Sequence, residues 1–218
     1  MRTLSVNAFI SLDGVMQGPG GPMEDPTGGF AHGGWNVTFW DDVMGNAMAK
    51  AFAKPYDLLL GRKTYEIFAA HWPYISDDPV ADALNSMTKY VASRTLDEVT
   101  WNGSTLLEGD AAEAVAALKA QDGPDLLVQG SSDLIQTLLR HDLVDELGVW
   151  TFPVLLGKGK RLFGDGAMPG GLRLVESEFS TTGVVIARYE RAGEVPVGSF
   201  QLDEPTDAEV RRRESLMS

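Results

Sequence analysis

At 218 residues, 44% hydrophobic and 22% charged, the chain has the size and balance of one soluble globular domain, with or without a tail. A formal net charge of −13 argues against a general polyanion binder, and no apolar run approaches the roughly 18 residues of a membrane span, so neither a nucleic-acid nor a membrane partner is expected. With no cysteine, disulfides and thiolate chemistry are excluded, and a reducing cytoplasm is the expected setting.

The chain opens on "MRTLSVNAFISLDG", which lacks the apolar core and cleavage site of a signal peptide. Within it "LSVNAFISL" (residues 4–12) alternates and is rich in β-formers, so a strand is expected. There follows "GPGGPMEDPTGGFAHGGW" (18–35), with seven glycines and three prolines, a loop too early in the chain to link domains. Residues 40–55 carry helical spacing that Pro55 ends. "YDLLLG" (56–61) is a continuous apolar run, as in a strand covered on both faces. Short helices are expected over 63–72 and over 79–87, where Pro79 suits a first turn. "KYVAS" (89–93) reads as a strand. The clearest helix is 109–123, with Asp110 at its N-cap, Glu113 three residues on, and Gly123 and Pro124 as its stop. "DLLVQG" (125–130) is again a buried strand, and residues 131–143 a helix that begins on two serines. From residue 146 the character turns to β, ending in two alternating strands over 171–191 joined near Thr181–Gly183. Strand–helix units followed by a β-only end build a mostly parallel sheet, helices on both faces, with an antiparallel hairpin at its edge. Residues 193–218 read as a polar tail, with Arg211–Arg213 most simply a solvated helix end.

Three histidines lie far apart with no metal-like spacing, so no metal site is expected. "GKGKRLFG" (157–164) fits neither the dinucleotide nor the Walker pattern, and its glycines suit a bulge or turn equally well. No G-x-S-x-G elbow is present.

Three segments share one design, a buried strand followed by a turn rich in N–H groups, hydroxyls and cations. In the first, Gly61 permits close approach, Arg62 and Lys63 carry charge, and Thr64 opens a helix. In the second, Ser93, Arg94 and Thr95 place two hydroxyls and a guanidinium at a strand end. In the third, Gly130, Ser131 and Ser132 precede a helix N-terminus suited to a pyrophosphate. Each is ordinary turn chemistry alone. Ligands of open α/β sheets, however, sit at the carboxyl ends of the strands, where all three fall.

The segments "VNAFISLDG", "LLLGRKTYE", "KYVASRTL", "LLVQGSSDLIQTLL" and "VDELGVWTFPVLLGKGKRLF", in this order, resemble the dihydrofolate-reductase-like superfamily. The nearest branch is the riboflavin-biosynthesis reductase domain in its stand-alone bacterial form, and the likeness spans residues 2–191. The resemblance implies an α/β three-layer fold with a mostly parallel mixed sheet of about eight strands, over residues 1–192. It implies an NADPH-dependent reductase, commonly a homodimer, acting on a C=O or C=N of a small heterocyclic or sugar-linked substrate, either of the riboflavin-pathway 5-amino-6-(5-phosphoribosylamino)uracil type or pterin-like. By the same resemblance Arg62, Ser93 and Arg94 hold the 2′-phosphate, with Lys63 and Thr95 beside them. Thr64, Gly61 and Gly130–Ser132 face the pyrophosphate, with Leu134 behind them, and Ala8 offers its backbone to the nicotinamide. The folate enzymes carry a cis Gly-Gly pair at the third turn; here the pair is Gly130–Ser131, and its isomer is open. Asp13 of "SLDG" is either a substrate carboxylate or an Asx-turn residue, and Asp42 is the other candidate for handling a proton. The glycine-rich loop is expected to cover the nicotinamide, with Phe30, Trp35, Phe39 and Trp40 as apolar cover, or else to be a surface insertion. The alternative function is a nucleotide-binding protein that keeps the pocket without turnover.

Overall fold

The computed structural model describes residues 1–164 and 168–217. Eight strands form one sheet: β1 (Leu4–Ser11), β2 (Tyr56–Gly61), β3 (Lys89–Ala92), β4 (Ser104–Leu107), β5 (Asp125–Val128), β6 (Glu146–Phe152), β7 (Leu172–Phe179) and β8 (Val185–Arg191). Their order is β4-β3-β2-β5-β1-β6-β8-β7. The first six are mutually parallel, and β8 and β7 add the antiparallel hairpin. The six helices are α1 (Asp42–Phe52), α2 (Arg62–Ala69), α3 (Pro79–Ser86), α4 (Ala111–Ala120), α5 (Ser132–Arg140) and α6 (Asp207–Ser215).

The side-chain alternation of each strand decides the layers. Leu59, Leu126 and Val128 point to one face, where they meet Val115 and Leu118 of α4 and Ile135 and Leu138 of α5. Leu58, Leu60 and Leu127 point to the other, against Tyr65 of α2 and Leu84 of α3. Further along that second face, Trp150 and Phe152 pack on Met44 of α1 and on Phe30 and Trp35 of the glycine-rich loop. This is the expected three-layer, dihydrofolate-reductase-like arrangement.

One element departs from the expectation, and the solvated helix end expected at Arg211–Arg213 is present. The four-residue β4 follows a turn at Gly103 and pairs only with β3, so it has neither the length nor the all-round burial of a recognisable strand. The C-terminal tail contains α6, a helix with no buried residue, held by Arg212 and Arg213 pairing with Glu209 and capped by Thr206. No helix among the described residues is long and apolar enough to cross a membrane.

Among the described residues Arg2, Asp57, Lys89 and Lys119 are charged side chains buried in the body. Arg2 is buried against Asp57 and also donates to the Pro124 carbonyl. Lys89, at 0% exposure, donates to the carbonyls of Asn85 at 2.8 Å and Asn102 at 3.0 Å, and its ammonium sits 4.3 Å from the Trp101 ring centroid.

Candidate active site

β2, β3 and β5 are neighbours and parallel, so the turns after them emerge at one edge of the sheet. The turns after β2 and β5 touch. The Gly61 N–H donates to the Gly130 carbonyl at 3.2 Å. A Cβ on Gly61 would lie 2.2 Å from Ser131 Oγ, and one on Gly130 would lie 2.3 Å from Thr64 Oγ1. Only glycine lets the two backbones come this close, and Gly130 also holds φ at +144°. The Gly130–Ser131 peptide is cis.

Caps distinguish the helices. Side chains of Asp41, Asp78, Asp110 and Thr206 accept first-turn N–H groups of α1, α3, α4 and α6. The N-termini of α2 and α5 have no side-chain cap. Both open into a cavity of about 710 Å³ whose wall includes Lys63, Thr64, Gly130, Ser131 and Ser132. Uncapped N–H groups at two converging helix ends form a receptor for an anionic group.

The cavity continues across the sheet edge past Ala8 to an aromatic cluster. The ring centroids of Phe9 and Trp150 are 5.2 Å apart, and those of Trp40 and Trp150 are 5.9 Å apart. Met48 and Phe52 of α1 complete the apolar side. The loop also contributes to the wall, through Gly18–Gly21, Glu24 and Asp25.

That loop is tied down at its stem. The buried Gln17 donates from Nε2 to the carbonyls of Asp25 and Thr27, both at 2.9 Å, and accepts from the Lys160 N–H at 3.0 Å. The Trp35 indole donates to the Gln17 carbonyl at 2.8 Å, and the Lys160 ammonium lies 2.6 Å from the Asp25 carboxylate. Of the four aromatics expected as cover, Trp40 lines the cavity, whereas Phe30 and Trp35 anchor the loop in the core. The stem of the loop is thus tied to the body by these bonds.

The predicted cofactor-binding residues separate into three groups. Ala8, Lys63, Thr64, Gly130, Ser131 and Ser132 line the cavity. Arg62, Ser93, Arg94 and Thr95 lie outside the lining, on the same edge of the sheet. Arg62 and Lys63 both approach Glu66, at 3.3 and 3.5 Å, while Arg94 is exposed with no ion-pair partner among the described residues. Ser93 Oγ accepts from the N–H groups of Thr95 and Leu96, which fixes that turn. Gly61 and Leu134 stand behind the wall, Gly61 as the close contact and Leu134 in the core.

Neither Asp13 nor Asp42 lines the cavity. Asp13 accepts from the Ser11 hydroxyl at 2.6 Å and from the N–H groups of Leu156 at 3.0 Å and Gly157 at 2.8 Å. These bonds, the Ser11 hydroxyl first, hold its carboxyl at about 2. The "SLDG" and "LLGKGKRLF" stretches are therefore two halves of one clasp, continued by the backbone bonds Leu12 to Val154, Met16 to Lys160 and Leu162 to Gly14. Asp42 is exposed in the first turn of α1, whose cap is Asp41.

Among the described residues four acids line the cavity: Glu24 and Asp25 on the loop, Asp78 at the start of α3 and Asp133 in the first turn of α5. Burial raises the Glu24 carboxyl above the ordinary carboxylate range, against the opposing effect of the Gly20 and Gly21 N–H groups. The signal for it was two adjacent charges in the middle of a glycine–proline loop. Asn36, 3% exposed, also lines the cavity, and its Oδ1 is buried without a hydrogen-bond partner.

Residues 2–186 match the model of the RibD C-terminal domain. The chain is 29% identical over 201 residues to the uncharacterized protein YyaP of Bacillus subtilis (strain 168), covering 88% of this chain and 96% of YyaP. Among solved structures, a Shewanella sp. PV-4 protein named for riboflavin biosynthesis superposes with a TM-score of 0.62 at 23% identity, over 88% of this chain and 99% of that one. The dihydrofolate reductase of Enterococcus faecalis, solved with NADP(H), superposes with a TM-score of 0.56 at 14% identity, over 87% and 96% of the two chains. The last two likenesses are of fold, whereas the domain match extends over nearly the whole sheet, and on that ground the chain belongs to the RibD C-terminal domain family.

Proposed function

We propose that this chain is an NADPH-dependent reductase acting on a C=O or C=N carbon of a small heterocyclic or sugar-linked substrate. The observation that carries the reading is the pair of uncapped helix N-termini, α2 and α5, which meet at one end of a single large cavity. Their free N–H groups, with Lys63 and the hydroxyls of Thr64, Ser131 and Ser132, suit a pyrophosphate. Arg94 and Arg62, on the same edge, suit the 2′-phosphate. The path past Ala8 to Phe9, Trp40 and Trp150 is apolar, which suits a nicotinamide and a flat substrate lying together.

NADPH, when bound, supplies the hydride. The residues of this chain do the rest. The strand tips orient the dinucleotide, while Trp40, Trp150 and the tethered loop exclude water. Glu24, with its raised pKa and its place on the cavity wall, serves as the proton source for the reduced oxygen or nitrogen.

The test is cofactor discrimination. Arg62→Ala combined with Arg94→Ala is expected to weaken NADPH binding roughly 10- to 100-fold and leave NADH binding nearly unchanged, because only the 2′-phosphate contact is lost. Equal weakening of both, or of neither, contradicts the assignment. NADPH binding with no oxidation across a wide substrate panel favours a binding protein instead.

A further inference from the structure

We propose that the Asn102–Gly103 pair is a site of spontaneous deamidation, and that its isoaspartyl product sets a carboxylate against the buried Lys89 ammonium. The proposal is independent of what the cavity binds.

The sequence has five asparagines, and Asn102 is the one followed by glycine. Deamidation needs a free side-chain amide and an unhindered backbone nitrogen on the next residue, and the turn before β4 supplies both. Asn102 is exposed, and neither its side-chain amide nor the Gly103 N–H has a hydrogen-bond partner among the described residues. The Ser104 N–H donates to the Trp101 carbonyl at 3.1 Å, which makes Asn102 and Gly103 the central residues of a β-turn. Gly103 holds φ at +73°, and a Cβ there would stand 3.3 Å from the Met87 carbonyl oxygen, so the fold keeps glycine at this position. The other asparagines lack these conditions. Asn46 and Asn85 lie inside α1 and α3, where the next N–H is held in the helix. The Asn85 amide also donates to the Trp72 carbonyl and accepts from the Trp101 indole, both at 2.9 Å. Asn7 sits within β1, and Asn36 is 3% exposed.

In the reaction the Gly103 nitrogen gives its proton to hydroxide and attacks Asn102 Cγ. The new N–Cγ bond closes a cyclic imide as the Cγ–Nδ2 bond breaks, and ammonia leaves with a proton from water. Water then opens the imide, with no change of oxidation state. Opening at the former side-chain carbonyl gives aspartate. Opening at the former main-chain carbonyl gives isoaspartate, in which the peptide runs through Cγ and the old main-chain carbonyl is a free carboxylate. That carbonyl is the one that accepts from Lys89 Nζ at 3.0 Å. The partners of the ammonium are now neutral: the carbonyls of Asn85 and Asn102 and the Trp101 ring. Burial lowers its pKa, and no charged group opposes that. In the isoaspartyl product a carboxylate replaces one of the two carbonyls and supplies the missing charge.

The test incubates the full folded chain at mildly alkaline pH, beside a sample unfolded in urea, until the unfolded sample has converted at Asn102. Peptide mapping with electron-transfer fragmentation separates isoaspartate from aspartate. In the folded chain, conversion at Asn102 is expected to exceed that at any other asparagine by about 10-fold or more, with isoaspartate the larger product. Asn102→Gln, whose longer side chain disfavours ring closure, is expected to stay unmodified at this position. A folded chain that remains intact at Asn102 while the unfolded chain converts overturns the site, as does equal conversion at the other asparagines. The isoaspartyl form, separated by ion exchange, is then unfolded in urea across the alkaline range. It is expected to lose at least half of the rise in stability with pH that the buried Lys89 gives the natural chain. An undiminished rise overturns the placing of the carboxylate against Lys89.

Discussion

Gly130→Ala is expected to weaken NADPH binding at least 100-fold, a loss of about 3 kcal/mol. The new Cβ would stand 2.3 Å from Thr64 Oγ1 and 3.3 Å from Thr64 Cβ, on a residue whose φ is +144°. Neither the clash nor the backbone angle can be relieved in place, because the Gly61 N–H bond to the Gly130 carbonyl fixes the spacing of the two turns. The turns must separate, and the two sets of helix N–H groups then no longer address one anion. Calorimetric titration with NADPH, beside a urea unfolding curve for each protein, separates lost binding from lost folding. Binding within 3-fold of the natural chain, in a folded variant, contradicts the shared-receptor account.

The second large effect concerns stability. Burial lowers the Lys89 ammonium from 10.5 to about 8, because the two carbonyls and the Trp101 ring replace its water without supplying a negative charge. Between those two values the unfolded chain binds the proton that the folded chain has released. Stability is therefore expected to rise with pH through this window, and to be flat in this respect below about 8 and above 10.5. The shift corresponds to about 3 kcal/mol, or roughly 6–12 °C in Tm for a chain of this size. Lys89→Met removes the titration and leaves the carbonyls of Asn85 and Asn102 unpaired at every pH. The difference in stability between the natural chain and the variant isolates the lysine from the other titrating groups. That difference is expected to move in favour of the natural chain by about 3 kcal/mol from pH 7.5 to 10.5. A difference that stays constant over the range contradicts the lowering of the Lys89 pKa by burial.

The sheet was legible wherever burial was two-sided. β2 and β5 are continuous apolar runs because both faces are covered, and their turn residues mark where the runs stop. β4 escaped notice because an outermost strand of four residues has too little pattern to read. α6 was readable only as a solvated helix end at Arg211–Arg213, without its bounds. It is held by ion pairs along its own surface, so no apolar stripe records it. At the site, local chemistry was readable and partnership was not. Ser131, Thr64 and Lys63 announce a helix start. That the starts of α2 and α5 alone lack caps, beside Gly61 and Gly130 in contact, depends on two segments about 70 residues apart in the chain. Asp13 shows the opposite case. Its motif resembles a functional one, yet two of its hydrogen bonds close a clasp with residues 156 and 157 and the third comes from Ser11. Glu24 was hidden because a glycine–proline loop has no periodicity to say which way its side chains face.

The central claim is that two uncapped helix ends and the turn after β3 receive one phosphorylated dinucleotide. Backbone amide hydrogen exchange, with and without saturating NADPH, tests it at the groups concerned. The account predicts slowed exchange in the first turns of α2 and α5 and at residues 93–95, with no change at the capped starts of α3, α4 and α6. Unchanged exchange at α2 and α5 under saturating NADPH, or protection centred on the capped helices, contradicts it.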